Sequence, residues 1–138
     1  MHTYATLNVG DRHAVQRTIT QDEVRLFAEL TGDDNPIHVD PEYAAAMSFE
    51  RPIVHGVFLL GIVSKVLGRD FPGAGSVAVS LSSKFLRPVL VGSEITVEVI
   101  VTEKIERFGH VKMKVYAYCA GKMALGGEAV LIPPKGDA

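Results

Sequence analysis

His55-Gly56-Val57-Phe58-Leu59-Leu60-Gly61-Ile62-Val63-Ser64-Lys65-Val66-Leu67-Gly68 is apolar on nearly every side of a helical projection. In a water-soluble domain, such a helix must be enclosed by other elements. Downstream of it the apolar period changes to two. Val77, Val79, Leu81, Ser83 and Phe85 alternate along one run, Ile95, Val97, Val99 and Val101 along a second, and Val111, Met113, Val115 and Ala117 along a third. Alternation of this kind predicts long antiparallel strands with one buried face. Phe108-Gly109-His110 and Gly121-Lys122 suit hairpin connections, and a last strand over 123–132 stops at Pro133-Pro134. The expected architecture is α+β: one long central helix wrapped by a curved antiparallel sheet.

Working back from that helix, residues 11–19 read as a short strand, and Thr20-Gln21-Asp22-Glu23 as a capping box. There the Thr20 hydroxyl and the Glu23 carboxylate satisfy free amides at a helix start. Val24, Phe27, Ala28 and Thr31 fall at helical spacing for a buried face, and Gly32 is the natural stop because it can take the left-handed conformation. Gly32-Asp33-Asp34-Asn35-Pro36-Ile37-His38 follows as a stiff loop. Pro36 disfavours helical geometry at Asn35, so the loop is expected to be extended at its centre, and the Asn35 side chain can close an Asx turn on its own backbone. Asp40-Pro41 restarts a helix to about Ser48, in the order N-cap then proline, and Arg51-Pro52 marks another turn.

The 138 residues are 47% hydrophobic, which suits a single domain over 1–138 with a sizeable core and no linker. A net charge of −2 with scattered lysines and arginines leaves no basic stripe for nucleic acid. The most apolar stretch, 57–67, is too short to span a bilayer, and the first ten residues carry no charged head before an apolar core. The lone Cys119 excludes a disulfide framework and reads as a buried structural thiol. These features lead us to expect a cytoplasmic protein.

Asp33 and His38, five residues apart across a stiffened turn, are the best candidates for chemistry. A carboxylate and an imidazole that converge can hold a water between them and move its proton near neutral pH. An aspartate after a helix end is often only a turn residue, and Asp34 competes for the acidic role. Ile37 and Val39 flank His38 in alternation, which suggests that one side of the segment packs inward. Gly56 opens the apolar helix, where unpaired amides favour developing negative charge and the missing side chain admits a carbonyl; a glycine needed only for packing is the alternative. Ser64 either bonds back to its own helix or faces a cavity. No Gly-x-Ser-x-Gly elbow, paired zinc-ligand spacing or phosphate-loop glycine pattern occurs, so covalent serine catalysis, a metal and a redox cofactor are not expected.

Leu26-Phe27-Ala28, Thr31-Gly32-Asp33-Asp34-Asn35-Pro36-Ile37-His38-Val39-Asp40-Pro41 and Phe49-Glu50-Arg51-Pro52-Ile53-Val54-His55-Gly56 together resemble the hydratase motif of MaoC-like proteins, specifically the R-specific enoyl-CoA hydratases. The likeness extends through Phe85-Leu86-Arg87-Pro88-Val89 and Val91-Gly92 to Gly127-Glu128-Ala129-Val130. It implies the hot-dog fold, Asp33 rather than Asp34 as the motif acid, His38 as the motif histidine, Asn35 as loop support, the Gly56 amide as the thioester-oxygen ligand and Ser64 as an assisting hydroxyl. It also implies a homodimer or higher homo-oligomer that pairs sheets edge to edge, with sites at the subunit interface. The substrate would be an acyl-CoA or acyl carrier protein thioester, in fatty acid metabolism or polyhydroxyalkanoate supply. No cofactor is implied beyond the CoA of the substrate. Val63 and Leu67 on the helix and Leu131 on the last strand are the candidate acyl-pocket residues. A hot-dog acyl-CoA thioesterase and a non-catalytic acyl-binding partner of a dehydratase are the rival readings. Lys84, Arg87 and Lys104 are cations that could meet a carrier's phosphates, with ordinary solvated charge as the alternative.

Overall fold

The structure, a computed structural model, describes residues 2–136. Strand β1 (Arg12–Thr18) is followed by helix α1 (Gln21–Thr31), the helical turn α2 (Pro36–Val39), helix α3 (Pro41–Ala46) and helix α4 (Gly56–Lys65). A π-helical turn, Val66–Asp70, extends α4 before strands β2 (Val77–Phe85), β3 (Glu94–Ile105), β4 (His110–Cys119) and β5 (Lys122–Ile132). The strands form one antiparallel sheet in the order β1-β3-β4-β5-β2, and α4 lies across it. This is the expected helix-on-sheet arrangement. No helix among the described residues is long and apolar enough to cross a membrane.

The period-two runs of β3 and β4 bury one face almost completely. Val97, Val99, Val101, Val111, Met113 and Val115 are each at most 1% exposed, and they pack with Leu59, Ile62, Val63, Val66 and Leu67 from α4 and its extension. Each such aliphatic side chain contributes about 1.5–3 kcal/mol on leaving water, before ordering entropy is subtracted. The β4–β5 connection is a two-residue turn with Ala120 and Gly121 both at positive φ, 51° and 75°, the twist that a tight hairpin favours. Strand β5 lies very close to β2: a Cβ on Gly127 would stand 2.0 Å from the Ser82 carbonyl oxygen, so only glycine fits there.

Two expectations are corrected. The apolar helix is not enclosed on all sides, because Val57, Gly61, Ser64 and Gly68 form an exposed stripe at spacings of four, three and four residues. Strand β2 alternates in sequence, yet Val77, Val79 and Phe85 are 56%, 51% and 53% exposed. The cause is position: β2 is an edge strand beyond β5, where Val77 and Val79 are left in the open although Leu81 packs on the core and Phe85 touches Gly56.

Candidate active site

Helix α1 presents the acidic loop. Its capping box is formed, with Thr20 Oγ1 accepting from the Glu23 amide and Glu23 Oε1 accepting from the Thr20 amide, at 3.2 and 2.9 Å. Gly32 ends the helix at φ 81°, as a left-handed stop requires. Val24 and Ala28 are buried as expected, whereas Thr31 is exposed. Thr31 has a local role: its hydroxyl donates to the Phe27 carbonyl at 2.7 Å and accepts from the Asp33 amide at 3.2 Å.

Beyond Asp33 the chain departs from a uniformly extended loop. Asn35 is non-helical at φ −46° and ψ 123°, and it caps the helical turn α2 by accepting from the Ile37 amide through Oδ1 at 3.3 Å, with Pro36 at the first helical position. Proline's fixed φ fits that position and its missing N–H costs nothing there. The turn, not an alternating strand, is what points His38 inward: His38 is 9% exposed while Ile37 and Val39 are only half-buried.

His38 Nδ1 lies 2.7 Å from the Ile53 carbonyl oxygen. A carbonyl can only accept, so Nδ1 carries the proton of that bond and Nε2 is the nitrogen left for chemistry. A carboxylate oxygen of Asp33 and a ring nitrogen each of His38 and His55 all lie within 4.8 Å of one another. Two hydrogen bonds of about 2.8 Å meeting at one water span roughly 4.6 Å. Asp33 and His38 are therefore close enough to share one bridging water. Asp34 is directed elsewhere, into a shallow groove with Arg25, Glu29 and Val39.

The same trio has the donor types of a metal site, but its geometry does not suit a shared cation. The His38 and His55 rings are stacked, centroids 3.8 Å apart at 27°. In-plane lone pairs on stacked rings run nearly parallel and do not converge, and each ring has already committed one nitrogen to a backbone carbonyl.

Gly56 is the first residue of α4, and neither its amide nor that of Val57 donates a hydrogen bond among the described residues. Both residues line a cleft of about 350 Å³ whose other walls include His38, Phe85, Leu86 and Arg87. A Cβ on Gly56 would meet the Phe85 ring at 2.8 Å, so this glycine has a packing reason as well as a place beside the cleft. Arg87 stands at the rim with Nη1 donating to the Met123 carbonyl at 2.7 Å. Lys84 lies instead in a shallow groove with Gly126 and Glu128, and Lys104 lies over the Tyr4 ring at 4.4 Å.

The other expected residues are not brought to the cleft. Ser64 is exposed, eight residues or about 12 Å along α4 from Gly56, and makes no hydrogen bond among the described residues. Val63, Leu67 and Leu131 are 0%, 2% and 1% exposed in closed core packing, so within one chain they open no acyl channel; the apolar walls beside His38 are Val57, Leu59, Phe85 and Leu86. Sequence reasoning missed the His55 ring and the Ile53 carbonyl. The available signal was an ionisable residue, His55, set directly before an apolar helix.

Residues 6–121 match the family model described as "MaoC like domain". An (R)-specific enoyl-CoA hydratase of Rhodospirillum rubrum is 35% identical over 137 residues, covering 99% of this chain and 95% of that protein. One from Aeromonas caviae is 40% identical over 131 residues, covering 94% and 97%. In three dimensions the chain is similar to the (R)-hydratase from A. caviae involved in PHA biosynthesis, with TM-score 0.91 at 40% identity and coverage of 94% of this chain and 98% of that one. It is also similar to an R-hydratase from Pseudomonas aeruginosa in the unliganded form, with TM-score 0.93 at 33% identity and coverage of 98% and 87%.

Proposed function

The chain belongs to the MaoC-like domain family, and from that premise we propose that it adds water to trans-2-enoyl-CoA to give (R)-3-hydroxyacyl-CoA, and catalyses the reverse dehydration. The carrying observation is convergence: His38 and Gly56 line one cleft, the Gly56 amide has no hydrogen-bond partner among the described residues, and the Asp33 carboxylate lies within 4.8 Å of a His38 ring nitrogen.

In this reading the thioester carbonyl accepts a hydrogen bond from Gly56 N–H, at the positive end of α4. A water held between Asp33 and His38 Nε2 attacks C3, and its proton passes to the pair as its oxygen bonds to carbon. Negative charge accumulates on the thioester oxygen, and C2 then takes a proton from the same pair. Hydroxyl and hydrogen therefore arrive on one face, a syn addition, and the count of protons closes within the two side chains. Asn35 supports the pair by capping α2. Hydration changes no oxidation state overall, so the chemistry requires no redox cofactor, and CoA enters only as part of the substrate.

Two further assignments belong to this proposal. The exposed stripe of α4 and the free edge of β2 support a homodimer, which would cover Val57, Val77 and Val79 and close the open side of the cleft. The half-buried, unpaired Cys119 suits a reducing cytoplasmic setting.

The test is hydration of crotonyl-CoA by the purified protein, following enoyl absorbance, free thiol and product chirality together. Loss of enoyl absorbance without thiol release, giving the R product, is expected; thiol release from a saturated acyl-CoA would establish a thioesterase instead. Asp33→Asn and His38→Gln should each lower turnover by ~10²–10⁴-fold while leaving the fold intact. Near-full turnover in either variant would remove that residue from the chemistry.

A further inference from the structure

His55 is 2% exposed and directly precedes the helix that carries Gly56. Its Nε2 lies 2.9 Å from the backbone carbonyl oxygen of Asp33. One face stacks on His38, and Phe27 packs against the ring with centroids 4.7 Å apart at 55°. Its Nδ1 is buried with no hydrogen-bond partner among the described residues. An apolar side chain of similar size would fill this space without stranding a buried polar atom, so core packing gives no reason for an imidazole here. The group that needs it is Asp33. The Asp33 carboxylate is exposed and takes only a long 3.5 Å bond from the Asn35 amide, so its direction is set by its backbone.

We propose that His55 is a positioning residue: its Nε2–H ties the Asp33 carbonyl to the first turn of α4, so that the carboxylate, the His38 ring and the Gly56 amide are held as one unit. The carbonyl can only accept, so Nε2 carries a proton, and because no acceptor among the described residues meets the buried Nδ1, the neutral Nε2–H tautomer fits the site. Burial is the main influence on this ring and pushes its pKa down, which keeps that tautomer in place near neutral pH. The inference deepens the hydratase reading and rests on it for its catalytic consequence, though the contact can be tested without any activity.

The experiment compares His55→Gln with His55→Asn. A glutamine amide reaches the place of the imidazole Nε2, whereas an asparagine amide stops at the place of Nδ1. Nitrogen NMR of the wild-type protein should show His55 as the Nε2–H tautomer, and the Asp33 carbonyl carbon resonance should move in the Asn variant but stay near its wild-type position in the Gln variant. With crotonyl-CoA, the Asn variant should lose ~10–100-fold in kcat with KM within ~3-fold, and the Gln variant should recover kcat to within ~5-fold of wild type. A merely space-filling histidine would make the two variants alike in kcat, and that result, or an Nδ1–H tautomer, overturns the proposal. A wild-type protein that does not hydrate the thioester overturns the function instead, and the Asp33 carbonyl resonance then decides the contact alone.

Discussion

At the scale of single residues, Gly56 has two neighbours at once: it lines the cleft, and its bare Cα accepts the Phe85 ring. Gly56→Ala pushes that ring away, and we expect kcat/KM for crotonyl-CoA to fall ~10-fold or more, because displacement of an oxyanion donor is costly. Combining it with Phe85→Leu removes the clash and should restore part of the loss; a harmless single substitution would show that the ring is not held there. The pairing of Asp33 with His38 was legible because five residues and a proline limit where the two side chains can go. The stack of His38 on His55 was not, since the 16 positions between them fold through the end of α2, the helix α3 and a turn before the rings meet. Nor could spacing indicate that a main-chain carbonyl, that of Ile53, would fix the tautomer of His38.

At the scale of elements, α1 and its cap, the two hairpins and the order of strands along the chain were readable from local rules, because capping, positive-φ turns and alternation are decided by near neighbours. The surroundings of α4 were not. Apolarity all round a helix says that every face will be covered, but not whether its own chain supplies the cover. Gly61 makes this concrete: a Cβ there meets nothing within 4 Å, so this chain alone gives no reason for glycine in mid-helix. If the stripe stayed in water, Gly61→Ala would raise stability by about 0.5–1 kcal/mol through helix propensity alone. We expect instead no gain, or a loss, in thermal denaturation, because in the proposed homodimer a second copy packs on the stripe. A clear rise in Tm would leave the stripe solvated.

For the whole molecule, the exposed β2 edge with Val77 and Val79 predicts an isologous pair of chains. Light scattering should give a mass twice that of the chain. Val77→Lys should shift the protein toward monomer, and activity should fall with the dimer fraction as the sample is diluted; a fully active monomer would place the complete site within one chain. The core was foreseeable because one chain closes it; the place of β2 at the edge beyond β5 was not, because alternation along a strand does not say which strand it pairs with. One contact joins these scales. Gly127 lets β5 lie against the Ser82 carbonyl, Ser82 is three residues ahead of Phe85 on the same strand, and Phe85 rests on Gly56. The edge strand thus works as a ruler laid between the sheet and the start of α4. Its seating at Gly127 is tied along the strand to the place of the Phe85 ring, so in the proposed hydratase the fit of a substrate would be gauged partly by a backbone contact it never touches.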